Sequence, residues 1–352
     1  MFHSFKAEHK RNHYCASWNF SDKIKLLIKL ILALNGFLLN CQNSFANQAL
    51  VNYQAEAPTA DQHTVFSTNR QAFGKPSPSL PMSEMRRFTF GNKIFNTNWV
   101  TAPASVTSLD GLGPLFNRVT CAACHMFDGR GRPKVKGEKK LKSMLMRLSV
   151  MADGKAMPHP VYGDQLSDRA INRVPAEGQV KITYQTITGK YPDGTKYHLR
   201  QPHYQLTNPG YGPFGDNLLI SPRVAPAVFG LGLIEAIPEA QIIKQADPDD
   251  KDGDGISGRA NYVNDPVSQQ LALGRFGWKA NQASLLAQNA SAAQGDIGLT
   301  NRYFPESNCT EQQTECLEQI NGGNPELSDF QLNRLNFYVA HLAVPARRNF
   351  NQ

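Results

Sequence analysis

Five consecutive residues carry the clearest chemistry in the sequence: Cys121-Ala122-Ala123-Cys124-His125. Cys-x-x-Cys-His is the attachment sequence of c-type haem. Two thiols separated by two residues reach the two haem vinyl groups from one turn of chain. The His that follows then falls beneath the iron as proximal ligand. Alanine at both intervening positions leaves the approach unobstructed. Two other readings compete. A thioredoxin-like pair wants a βαβ pattern around it, and none is visible. A zinc ribbon wants a second Cys-x-x-Cys, and the sequence has none.

The remaining four of the six cysteines follow from the start of the chain. Residues 1–46 hold six Lys or Arg against Glu8 and Asp22, half of the chain's net charge of +8. This basic stretch leads into the apolar run Leu30–Leu39 and then Ser44-Phe45-Ala46. That is the pattern of a secretory signal peptide cleaved after Ala46. The uncharged run falls short of the roughly 20 residues a spanning helix needs. The expected location is therefore the periplasm, and membrane contact is expected only through an uncleaved leader. Cys15 and Cys41 leave with it. Cys309 and Cys316, seven apart in a polar stretch, read as a short-range disulfide in an exported protein. The charge left after the leader is a modest +4, with no basic helix or aromatic-basic stripe, so nucleic acid is not an expected partner.

Around the motif, several side chains compete for roles. Met is the usual sixth iron ligand in electron-transfer cytochromes c. Met144, Met151 and Met157 are available, though Met on an apolar face more often fills a core. His159, His198 and His203 are the next choices, with His203 first; an open iron is the third option. Glu235, in the apolar setting Gly232–Ile237, is the candidate acid/base for moving a peroxide proton. Its competing role is a hydrogen-bonded structural carboxylate. Trp278 and Arg275 are candidates for lining the haem, Trp by stacking and Arg at a propionate. Asp250-x-Asp252-x-Asp254-Gly255 opens like a calcium loop, then departs from it: the twelfth position is Asn261, not Glu.

The elements that must position these residues are fewer. Residues 47–100 read as an extended N-terminal region, with one helix or an irregular lead-in over 81–100. Lys139–Val150 places apolar residues at 141, 144, 145 and 148, which predicts an amphipathic helix. Val180–Ile187 and Thr195–Arg200 alternate around Pro192-Asp193-Gly194, which predicts a β-hairpin. Residues 203–232 read as loop. Pro238 predicts a short helix after it. Ser328 with Gln331 forms a capping-box pattern. It opens a helix with Phe330, Leu335, Tyr338, Val339 and Leu342 as its apolar face, ended before Pro345.

Several longer stretches then resemble a known family. GLGPLFNRVTCAACHMFDGRGRP (111–133), GDQLSDRAI (163–171), NPGYGPF (208–214), LISPRVAP (219–226), GLGLIEAIPEA (230–240), DPDDKDGDGISGR (247–259), GRFGWKA (274–280) and LAVPARR (342–348) together are similar to the bacterial di-haem oxidoreductases. These proteins are also labelled peroxidases or thiol oxidoreductases. The resemblance runs from about residue 100 to the end. It implies a mainly α, loop-rich fold: one enlarged cytochrome c-like haem domain over 101–352, opened by a long insertion that contains the hairpin. The helix from Ser328 looks like the C-terminal helix that packs over the haem in cytochromes c. Family members generally continue into a second Cys-x-x-Cys-His, and this sequence carries one. The implied function is a haem oxidoreductase or electron-transfer protein with one covalent haem and peroxidase-like activity. Its partners would be a redox protein or a small oxidant such as peroxide. The alternative is a haem-based binding or sensing module that turns nothing over.

Overall fold

The structure is a computed structural model that describes residues 60–135, 138 and 140–349. The leader over 1–46 lies outside them, as do residues 47–59. One compact unit runs from Thr59 to Ala346. It takes in residues 60–100, so the stretch expected to be an extended N-terminal region packs into the body from Ala60 onward.

The mainly α, cytochrome c-like expectation is overturned. Helix and strand contribute almost equally, 23% and 24%, and no cytochrome c fold is shown. Most of the strands lie between the Cys121–His125 motif and the last helix, interleaved with short helices. The segment expected to be a helix over 139–150 is the clearest case. Strand β1 spans Met144–Ala152, with Met144, Met146 and Leu148 buried and Leu145 and Arg147 half-exposed. The apolar residues at 144, 145 and 148 fit a helical period, but Met146 fits only the two-residue period of a strand. A partner far along the chain decides between them.

The hairpin is present and longer than its sequence pattern. Strands β2 (Gln179–Lys190) and β3 (Lys196–Thr207) pair antiparallel from Gln179 opposite Thr207 to Lys190 opposite Lys196. Strand β4 (Leu218–Val224), in a region expected to be loop, is the long-range partner of β1. The pair runs antiparallel from Met144 opposite Val224 to Val150 opposite Leu218. Met144, Met146 and Leu148 pack with Tyr162, Leu166 and Val180 into one core cluster.

Two helices cross in a second core. Helix α1 covers Met85–Asn96 and buries Phe88, Gly91, Ile94 and Phe95, a single stripe at helical spacing. Helix α2 covers Asp329–Ala340, and its N-terminus carries the complete Ser328–Gln331 capping box. Leu335, Tyr338 and Val339 of α2 are buried against α1, while Phe330 stays exposed. Gly91 sets the crossing distance: a Cβ there would lie 2.1 Å from the Arg334 carbonyl oxygen. Pro238 precedes a short helix over Glu239–Ile243.

Candidate functional site

The Cys121–Ala123 segment is a single 3-10 turn, and His125 N–H closes it back onto Cys121 O at 3.1 Å. Both cysteines are free thiols, whereas Cys309 and Cys316 are bonded as a disulfide. The ends of the β1–β4 sheet hold the turn. Cys124 Sγ lies 3.6 Å from the carbonyl of Lys142, just before β1. His125 Nδ1 donates to the carbonyl of Pro226, just after β4, at 2.7 Å. That bond fixes the tautomer and leaves Nε2 with its lone pair, as a metal-ligating His requires. Burial also pulls the His125 pKa down, which keeps the ring neutral.

The other walls come from both cores. Phe95 of α1 sits 6.2 Å from the His125 ring, centroid to centroid. Directly after His125 the chain reverses through two left-handed residues, Phe127 (φ 55°) and Asp128 (φ 61°). Such residues cost on the order of 1–3 kcal/mol each and persist where surroundings enforce them. Here Arg70 lies over the Phe127 ring at 4.0 Å, and the buried Asp128 carboxylate accepts from Tyr338 Oη of α2 at 2.7 Å. On the other side stands Asp296, within the π-helical turn Ala293–Ile297. Its carbonyl accepts from the N–H groups of Asn117 and Arg118, and its carboxylate accepts from Gln165 at 2.8 Å.

Burial pushes both Cys121 and Cys124 up to about 12, and the Asp296 carboxylate adds to the push. Redox-active cysteines need the opposite, a thiol made acidic by nearby positive charge. The pair is therefore unsuited to thioredoxin-like exchange. It fits two protonated thiols held one turn apart beside a neutral imidazole, which is the donor set of a covalently held haem.

A family model described as "Di-haem oxidoreductase, putative peroxidase" matches residues 53–352. The chain belongs to the di-haem oxidoreductase family. No match was found among curated proteins or among solved structures. Membership points to haem as the cofactor and to oxidoreduction as the class of chemistry.

Within the chain the other candidates scatter. Arg275 donates to the carbonyls of Ile234 and Ile237, the latter at 2.6 Å. Trp278 is more than half exposed, and the arginine over its ring is Arg223 of β4, at 5.3 Å. Glu235 accepts from the N–H of Leu285 at 2.7 Å, so its carboxylate caps the helix Leu285–Ala292. It also borders a half-open cavity of about 310 Å³ shared with His63, Ser77 and His341. His203 stands exposed on β3 beside Gln185. His159 is buried with both ring nitrogens engaged, by Phe214 O and by the N–H groups of Val161 and Tyr162. Met144 lies in the sheet core, and Met151 and Met157 are exposed. Asp250, Asp252 and Asp254 offer oxygens within 4.8 Å of one another. Their carboxylates already accept from the N–H groups of Gly255, Asp254 and Ile256, which are ordinary bonds of a tight turn.

Sequence reasoning missed Pro226, Asp296, Gln165 and Arg223. Pro226 and Arg223 lie inside one recognisable stretch, LISPRVAP, but nothing local says that this stretch reaches His125. Asp296 has no signal at all in a run of Ala, Gln and Gly.

Proposed function

We propose that the protein is an exported c-type haem oxidoreductase. In this reading Cys121 and Cys124 form thioethers to one haem and His125 Nε2 is the proximal iron ligand. The single observation that carries it is the 2.7 Å bond from His125 Nδ1 to Pro226 O, which orients the one ring nitrogen left for iron. The haem, when bound, supplies one-electron chemistry at its iron. The chain's own residues do the rest. Phe95 gives an apolar wall, and Asp128 ties the motif to α2. Asp296 puts a buried carboxyl beside the motif, and burial raises its pKa.

A peroxide-type oxidant on one side and a redox protein on the other complete the reading, with the periplasm as the compartment. The test is a pyridine haemochrome spectrum of protein made with a c-type maturation system. A c-type spectrum is expected, and Cys121→Ala with Cys124→Ala should abolish it. Covalent haem that survives both substitutions would falsify the assignment. Repeated reoxidation of the ferrous protein by peroxide separates an oxidoreductase from a sensing module, which would react once or not at all.

A further inference from the structure

Past its base the β2–β3 ribbon is tied to the body by Tyr184, whose hydroxyl donates to the Lys134 carbonyl at 3.0 Å, and is otherwise mostly exposed. Past the Ile182–Tyr204 pair, every residue of both strands is exposed except Gly189 and Tyr197. The register sorts this outer half into two unlike faces, because paired residues share a face and alternate along each strand. One face carries Thr183 opposite His203 and Gln185 opposite Gln201, and then, toward the tip, Ile187 opposite Leu199 and Gly189 opposite Tyr197. The Tyr197 ring lies against Gly189, where a Cβ would come within 2.3 Å of its hydroxyl, and Tyr191 packs edge-on to it at 5.0 Å. Ile187, Leu199 and Tyr191 stay 41%, 56% and 56% exposed. The opposite face carries Tyr184 opposite Pro202 and Thr186 opposite Arg200, with Arg200 over the Tyr184 ring at 4.8 Å, and then, toward the tip, Thr188 opposite His198 and Lys190 opposite Lys196. Over Gln179–Thr207, Lys181, Lys190, Lys196 and Arg200 stand against Asp193 alone.

We propose that this ribbon docks on an anionic lipid bilayer, with Ile187, Leu199, Tyr191 and Tyr197 in the headgroup layer and Lys190, Lys196 and Arg200 reaching its negative charge. An aliphatic and aromatic face backed by a basic one is the composition of elements that lie in a membrane interface. The long basic side chains extend from their own face toward the headgroups. A recess on the ribbon, lined by Lys181, Thr183, His203, Tyr204 and Gln205, lies near its base, so the outer pairs Ile187–Leu199 and Gly189–Tyr197 stand outside it. Cores of protein–protein interfaces are depleted in Lys, which favours lipid over an acidic protein.

The experiment uses the full, haem-loaded chain and sedimentation with vesicles of phosphatidylglycerol plus phosphatidylethanolamine, or of phosphatidylcholine alone. Every variant is exported and processed alike, so differences between variants report on the ribbon. The parent should prefer the phosphatidylglycerol vesicles, and added salt should weaken binding. Lys190→Glu with Lys196→Glu should weaken it roughly tenfold or more. Ile187→Asn with Leu199→Asn should weaken it by about the same factor, with haem content and thermal midpoint unchanged in both pairs. Parent-like binding by either pair overturns the proposal. So does a ribbon-dependent affinity for polyglutamate that exceeds that for the vesicles, since it assigns the basic face to an acidic protein.

Discussion

Glu177 is a carboxyl group almost without water, 2% exposed, and it forms no ion pair among the described residues. Its oxygens accept from the N–H of Ser167 and from the side-chain amide of Gln313, the latter at 2.6 Å. Those bonds hold the charged form only in part, and burial pushes the group up to about 8. Between the ordinary carboxylate range and that value, the folded protein keeps a proton that the unfolded chain releases. The contribution to stability is therefore complete below about pH 4.5 and is lost as pH rises through about 8, a span worth on the order of 5 kcal/mol. Asp128, Asp168 and Asp296 are raised by burial as well and slope the same way, so the useful quantity is a difference. Glu177→Gln should flatten the fall in urea midpoint between pH 5 and pH 9 relative to the parent. Parallel curves for parent and variant would place the slope elsewhere.

The α1–α2 crossing depends on one absent methyl group. Gly91 lets the Arg334 backbone come closer than any side chain allows, with Tyr338 Cβ 2.6 Å from where a Cβ would be. Gly91→Ala must part the helices, and overpacking of this kind costs about 1–3 kcal/mol or more. It should also move Phe95, four residues on along α1, and so alter the surroundings of His125. A lowered thermal midpoint together with a shifted haem spectrum is the expected result; a lower midpoint with an unchanged spectrum would detach the crossing from the site. The two helices differed in how plainly they could be read. The Ser328–Gln331 box is a local signal with a local cause, so the start of α2 was legible. Strand β1 was not, because Leu141, Met144, Leu145 and Leu148 satisfy a helical period until Leu218–Val224 arrives to pair with it. The hairpin was legible because its turn and both alternating strands lie within one short stretch.

At the scale of the molecule, the same division applies to the site. Cys121, Cys124 and His125 are adjacent in sequence and declare their chemistry, while Pro226, Gln165 and Asp296 join them only through the fold. The disulfide shows how far such long-range ties reach. The segment it closes sends Thr310 Oγ1 to the Val161 carbonyl and Gln313 to Glu177, and Asn308 just before it donates to the Leu115 carbonyl, six residues ahead of Cys121. Cys309→Ser with Cys316→Ser should cost about 2–3 kcal/mol by the loop-closure term. The size of the loss should itself depend on pH. A loosened Gln313 admits water to Glu177, and hydration returns that carboxyl toward its ordinary range. The variant then lacks the proton-linked stability that the parent has at low pH, while at high pH the parent no longer holds that advantage. Urea midpoints should therefore separate more at pH 5 than at pH 9. An equal separation at both would mean that the disulfide acts on the unfolded chain alone and leaves Glu177 dry.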